Sequence, residues 1–232
     1  MPTADSARRD WPGSRRRTPV PVDYAWTSRP PVARSCLTWD APYAAEACVA
    51  GRPIELGFML ELISPTIRLR RSWLASCEEW GRGVHQDGAG LHPDDDVDTP
   101  AGFSSWVERL LHEADTSIPA REGRVHATYW WVAQGGTYLG AISLRHELND
   151  FLLRAGGHIG YGIRPSARGR GVATWALRSM LPRASALGLE KVLVTCDDAN
   201  LASAQVIMKA GGVLEDVRPG ELGLTRRYWI TL

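Results

Sequence analysis

Six consecutive residues, Arg168-Gly169-Arg170-Gly171-Val172-Ala173, combine side-chain cations with glycines where a strand-like segment passes into a helix-like one. A helix N-terminus offers unpaired backbone N–H groups and the positive end of the helix dipole, so it attracts phosphate. Glycine at 169 and 171 removes side chains that would keep phosphate oxygens from those amides. Arg168 and Arg170 add donors suited to phosphate geometry. The same six residues also suit a plain glycine-rich turn with solvated arginines. Two other nucleotide motifs are absent: no G-x-x-x-x-G-K-[ST] occurs, and the glycine order is not G-x-G-x-x-G.

Other residues could move protons. His158 begins the strand that leads into the six residues, and its ordinary pKa suits proton removal near neutrality. It could equally pair with a backbone group at the strand start. His146 and Glu147 end the preceding strand and are further candidates for a base. Asp94, Asp95, Asp96 and Asp98 could draw a cationic amine, or simply solvate a loop and favour the helix start that follows.

The elements that position these groups begin near Leu60. Leu60–Leu69 reads as a first strand, bent or at an edge because of Pro65. Ser72 is the expected N-cap of a helix carrying Trp73, Leu74, Cys77 and Trp80 on one side. A polar loop spans Gly81–Asp98. Thr99-Pro100 then starts a second helix with Phe103, Trp106, Val107, Leu110 and Leu111 as its apolar stripe. Thr128–Ala133 and Thr137–Arg145 form a hairpin about Gly135-Gly136, and Gly157–Ile163 is a fourth strand. A helix from Val172 to about Leu187, a strand Lys191–Cys196, a helix Leu201–Ala210 and strands Val213–Val217 and Arg227–Ile230 complete the chain. This order predicts an α+β fold: a mixed, mostly antiparallel central sheet with helices on both faces. Most of the ten tryptophans belong in its core, with one or two from the first helices available to line a pocket.

R-x-x-G-x-A between strand and helix resembles the motif with which GNAT N-acetyltransferases hold the pyrophosphate of acetyl-CoA. His158-Ile159-Gly160-Tyr161, with Pro165 and Ala173, is similar to the branch that acetylates ribosomal-protein N-termini and to related small-molecule acetyltransferases. Asn200-Leu201-Ala202-Ser203, followed by Ile207, Lys209 and Gly211-Gly212, resembles that superfamily's Asn-x-x-Ala/Ser helix. The resemblance runs from about Tyr129 to Ile230 and implies a GNAT fold with acetyl-CoA as co-substrate and no metal. It implies that the strand Gly157–Ile163 splays from Lys191–Cys196, with backbone groups of Tyr161 and Ile163 pairing the pantetheine arm. Arg168, Gly169, Arg170, Gly171, Val172 and Ala173 would hold the pyrophosphate, and Asn200 and Ser203 the pantetheine amides. Asn200 also suits N-capping. An N–H near Tyr161 would stabilise the charge that develops on the carbonyl oxygen. His158 stands where relatives often carry Glu. The sequence departs from the family at Ile207, where many relatives carry a Tyr that protonates the departing thiolate. Tyr161, another hydroxyl or water would then serve, or the thiolate leaves unassisted.

Residues 1–57 differ from the rest. Eight prolines and the cluster Arg15-Arg16-Arg17 fall there, without strand or helical periodicity before Ala44. The segment reads as a largely disordered extension, with at most a short helix near Ala44–Ala50, ahead of a domain over 58–232. Translation starting at Met59 is an alternative. The basic cluster could be a nucleic-acid arm, but six acidic residues dilute it and a solvated tail is the simpler reading. A net charge of +1 calls for neither nucleic acid nor an anionic membrane. Cys36, Cys48, Cys77 and Cys196 lack paired spacing and read as reduced thiols of a cytoplasmic protein, monomeric or homodimeric. The function expected is acetyl transfer to a primary amine of a small molecule or a peptide N-terminus. The alternative is a catalytically weak acyl-CoA-binding sensor or partner domain.

Overall fold

A computed structural model describes residues 59–81, 83–220 and 223–232. The expected extension over 1–57, its helix near 44–50 and the Arg15–Arg17 cluster lie outside the described residues.

Seven strands form one sheet: β1 (Glu61–Ile63), β2 (Ala127–Gln134), β3 (Thr137–Arg145), β4 (Ile159–Ile163), β5 (Lys191–Asp197), β6 (Val213–Gly220) and β7 (Gly223–Thr231). Their spatial order is β1-β2-β3-β4-β5-β7-β6. Every neighbouring pair is antiparallel except β4 and β5. The helices are α1 (Arg70–Trp80), α2 (Pro100–His112), α3 (Val172–Ala186) and α4 (Leu201–Lys209). This is the α+β arrangement expected from the sequence.

Side chains alternate across a strand, so β2 and β3 feed two cores. Val132, Leu139, Ile142 and Leu144 pack with α3 and α4. Trp131, Ala133, Tyr138 and Ala141 pack with α1 and α2. Both faces are covered, which is why the strands read as nearly continuous apolar runs. On the α1/α2 side, Trp73, Phe103, Trp106 and Trp131 meet at centroid separations from 4.9 to 6.1 Å. Their tilted and edge-on contacts each contribute about 0.5–1.5 kcal/mol beyond area burial. Trp73 and Trp106 are therefore core residues.

Three local expectations are corrected, and one further turn is found. The first strand ends at Ile63, because Pro65 breaks the ladder and Thr66 caps a 3-10 turn over Ile67–Leu69. Ser72 lies inside α1 and caps nothing; its hydroxyl accepts from the Tyr138 N–H at 2.8 Å, tying α1 to β3. Leu111 is exposed, the other four residues of the α2 stripe being buried. Between β3 and β4 a π-helical turn, Leu152–Gly156, closes with Gly157 N–H donating to the Leu152 carbonyl at 2.7 Å. By contrast Thr99 caps α2 as expected, accepting from Gly102 N–H at 3.1 Å, with Pro100 at the first helical position.

Candidate active site

The parallel pair β4 and β5 is in register at Ile159↔Val194 alone. On its other edge β4 runs five residues against β3, from Leu144↔Ile159 to Gly140↔Ile163. Arg145 N–H donates to the His158 carbonyl and Arg164 N–H to the Leu139 carbonyl, which fixes the alternation of this ladder. Gly160 and Gly162 then spend their backbone groups on β3, and the N–H and C=O of Tyr161 and Ile163 point toward β5. Past Ile159 they face an opening between diverging strands.

At the end of that opening Pro165–Ala167 makes a 3-10 turn, and Gly171 precedes α3. Gly169 and Gly171 take φ of +72° and +80°, and a Cβ at either would meet nothing within 4 Å. Their left-handed backbone and open outer face leave the amides of Val172, Ala173 and Thr174 without intrahelical or side-chain partners. The turn fits a phosphate. The two arginines differ: Arg170 is exposed and reaches Gln134 Oε1 at 3.3 Å. Arg168 donates through Nε to the Ile163 carbonyl at 2.9 Å and lies 4.3 Å above the Trp80 ring.

Helix α1 braces this turn. Glu79 pairs with the buried Arg164 through Nη2 and Nε, and its second oxygen accepts from Ser166 N–H at 3.0 Å. These bonds, the Arg164 pairing foremost, hold the Glu79 carboxyl down at about 2. Replacing Glu79 by Ala leaves Arg164 without its carboxylate. Glu79 is itself partly solvated, so the expected loss is about 1–2 kcal/mol rather than the 3–5 of a fully buried pair. Thermal unfolding should read this as a drop of several degrees in Tm. The wild-type advantage should be full above about pH 4.5, Glu79's ordinary value, and fade as pH falls toward 2.

Tyr161 crosses from β4 to α4. Its hydroxyl is 2.7 Å from Ser203 Oγ and 3.3 Å from the Ser203 carbonyl, and burial raises its pKa. The Cys196 thiol on β5 is a further neighbour of Ser203, its pKa also raised by burial. Ile207, one turn beyond Ser203, is fully buried among the α3/α4 core residues. Asn200 caps α4, accepting from Ser203 N–H at 3.0 Å.

His158 does not have a base's freedom. Its Nδ1 accepts from Leu193 N–H at 2.9 Å, and the His158 backbone N–H donates to the Leu193 carbonyl at 2.7 Å. Burial and then the Arg145 charge depress its pKa to about 4. The ring is neutral with its lone pair spent on backbone, so it fastens β4 to β5. His146 bonds Thr128 Oγ1 at 2.9 Å and stacks on His126, away from Tyr161. Glu147 is exposed in the turn after β3, five residues past Ile142, which pairs with Tyr161.

The face of β4 left bare by Gly160 and Gly162 is filled by the chain itself. A Cβ on Gly162 would stand 2.8 Å from the Asp87 carbonyl, and one on Gly88 2.4 Å from the Gly160 carbonyl. The loop after α1 thus lies on β4 beside Tyr161. Two of its acidic residues have structural partners: Asp95 pairs with Arg109, and Asp96 accepts from the Thr99 hydroxyl. Among the described residues no helix is long and apolar enough to cross a membrane, and no group of three or more His, Cys, Asp or Glu could hold a metal ion.

A family model described as an acetyltransferase (GNAT) domain matches residues 92–213, more than half the chain. No curated protein matches the sequence. Solved structures do resemble the fold. The microcin C7 self-immunity acetyltransferase MccE, in complex with acetyl-CoA and AMP, has a TM-score of 0.55 at 14% identity, over 75% of this chain and 92% of that one. RimL, a ribosomal L7/L12 α-N-protein acetyltransferase in complex with coenzyme A, gives 0.55 at 17% identity, over 78% and 97%. A ribosomal-protein-S5-alanine acetyltransferase from Vibrio fischeri gives 0.54 at 17% identity, over 74% and 91%.

Proposed function

Because the chain belongs to the GNAT acetyltransferase family, we propose that it transfers the acetyl group of acetyl-CoA to a primary amine of a small molecule or a peptide N-terminus, by direct attack on the thioester. The observation that carries this reading is the β4–β5 opening, in register only at Ile159↔Val194, ending at the left-handed glycine turn before α3.

In this reading the amides of Val172 and Ala173 hold the pyrophosphate with Arg170. Glycines 169 and 171 keep its approach clear, and Arg168 braces the turn from Trp80. The Tyr161 carbonyl and Ile163 N–H pair with the pantetheine arm, and the Asn200 and Ser203 side chains stand beside it. Tyr161 N–H is the donor for charge developing on the carbonyl oxygen. The Tyr161 and Ser203 hydroxyls pass a proton to the departing thiolate and are reprotonated by the proton that the attacking amine gives up, a role Ile207 cannot fill. Asp87 and Gly88, lying on β4 beside Tyr161, shield part of the thioester from water.

Mass spectrometry of products from a broad panel of amines and peptides with acetyl-CoA tests the proposal. Acetylated amine with release of coenzyme A is expected. The apolar Ile207 favours one second reading, a catalytically weak acyl-CoA-binding domain. Tight coenzyme A binding with no product from any amine would support that reading and sink the first.

A further inference from the structure

Beside the β4–β5 opening, on the face covered by the 81–98 loop, lies a cation whose charge the fold does not answer. Arg145, the last residue of β3, projects to the same face as Gly160. Its Nη1 donates to the carbonyls of Gly156 and Gly157 at 2.9 and 3.1 Å, closing the end of the π-helical turn. Among the described residues nothing bonds Nε or Nη2, and no carboxylate stands within ion-pair distance. Nη2 lies 3.5 Å from where a Gly160 Cβ would be, next to Tyr161. The other groups that face it are Asp87 and His85 on the loop, the Tyr129 phenol on β2, Arg124 and His158. Tyr129 is committed to Glu113, its hydroxyl donating at 2.6 Å, and Glu113 is itself paired with Arg109. Asp87 is bonded to His85 at 3.1 Å. Burial works against the Arg145 charge.

A half-buried guanidinium of this kind is costly unless something completes it. One bond pair to carbonyls explains Nη1 and no more. The edge that remains, Nε–H with one Nη2–H, is the fork that matches the two oxygens of a carboxylate. We propose that Arg145 binds a carboxylate of the acceptor, so that the preferred acceptors are amines that also carry a carboxyl group, such as free amino acids or peptides with an acidic residue close to the N-terminus. A single guanidinium edge with Asp87 nearby matches one negative charge better than the two of a phosphomonoester. The inference rests on acetyl transfer occurring at this opening.

The test compares matched acceptors, each amino acid against its own carboxamide and each acidic peptide against its amidated counterpart, with acetyl-CoA and the full chain. A charged hydrogen-bonded contact contributes about 1.5–3 kcal/mol, which is roughly 10- to 100-fold in kcat/KM. The wild-type protein should favour the carboxylates by at least about tenfold, chiefly through KM. In Arg145→Gln that ratio should fall to near one, with Arg145→Lys between, because Lys keeps the charge and loses the fork. Acetyl-CoA affinity, measured on each variant, reports whether the β4 region has kept its shape. Equal turnover of acids and amides by the wild type would overturn the Arg145 assignment and leave acetyl transfer standing. So would a preference that survives in Arg145→Gln. No acetylation of any amine would overturn acetyl transfer itself, and this inference with it.

Discussion

Gly171→Glu should abolish acetyl-CoA binding while leaving the protein folded. Gly171 sits in left-handed backbone at the start of α3, and a Cβ there enters open space rather than protein. The new side chain would therefore stand where the phosphates approach the Val172 and Ala173 amides. Its carboxylate would also take the positive end of the helix for itself. Losing two or more charge-assisted bonds, each about 1.5–3 kcal/mol, weakens binding at least ~10²-fold in Kd. The fold bears only the backbone strain of a side chain in left-handed space, about 1–2 kcal/mol, or a few degrees in Tm. Gly171→Ala carries the same strain with far less obstruction, so its Kd should lie between. Calorimetric titration of the three proteins checks the order.

Tyr161→Phe should lower kcat by about 10²-fold, toward the lower end for a positioned proton donor, because a thiolate is a fair leaving group unaided. The ring packs against the α3/α4 core and its hydroxyl is bonded to Ser203. Phe keeps the packing and removes only the hydroxyl, so KM for acetyl-CoA should change little. If the two hydroxyls act as one relay, Ser203→Ala and the double variant should cost about as much as Tyr161→Phe alone. Steady-state kinetics on the four proteins reads this directly. Independent, multiplying losses would show that the two hydroxyls do separate things.

What the sequence showed best was local. Thr99-Pro100 starts α2 because capping needs only residues within one turn. The Arg168–Ala173 turn is legible for the same reason, its glycines and helix start being adjacent. Pairings distant in sequence were the ones missed. Ser72 meets Tyr138 66 residues on, and Glu79 reaches Arg164 across 85. Arg168 has the composition of a phosphate ligand, yet Trp80 from α1 lies under it. Gly160 and Gly162 allow close approach to β4, and the approaching group is the chain's own loop. His158 has the right chemistry for a base, and only the position of Leu193 N–H shows its lone pair already spent. The relation of Tyr161 to Ser203, 42 residues apart, is likewise a property of the packed sheet and helix. Arg145 carried no signal at all, since a terminal arginine on a strand ordinarily reaches solvent.

Backbone hydrogen exchange with and without acetyl-CoA addresses the site itself, apart from any acceptor. Saturating acetyl-CoA should slow exchange at Tyr161 and Ile163 in β4 and at Val172 and Ala173 opening α3, with both segments protected together at the same ligand concentration. Protection confined to other parts of the fold, or none at saturation, would contradict the assignment of the β4–β5 opening and the Arg168–Ala173 turn as one acetyl-CoA site.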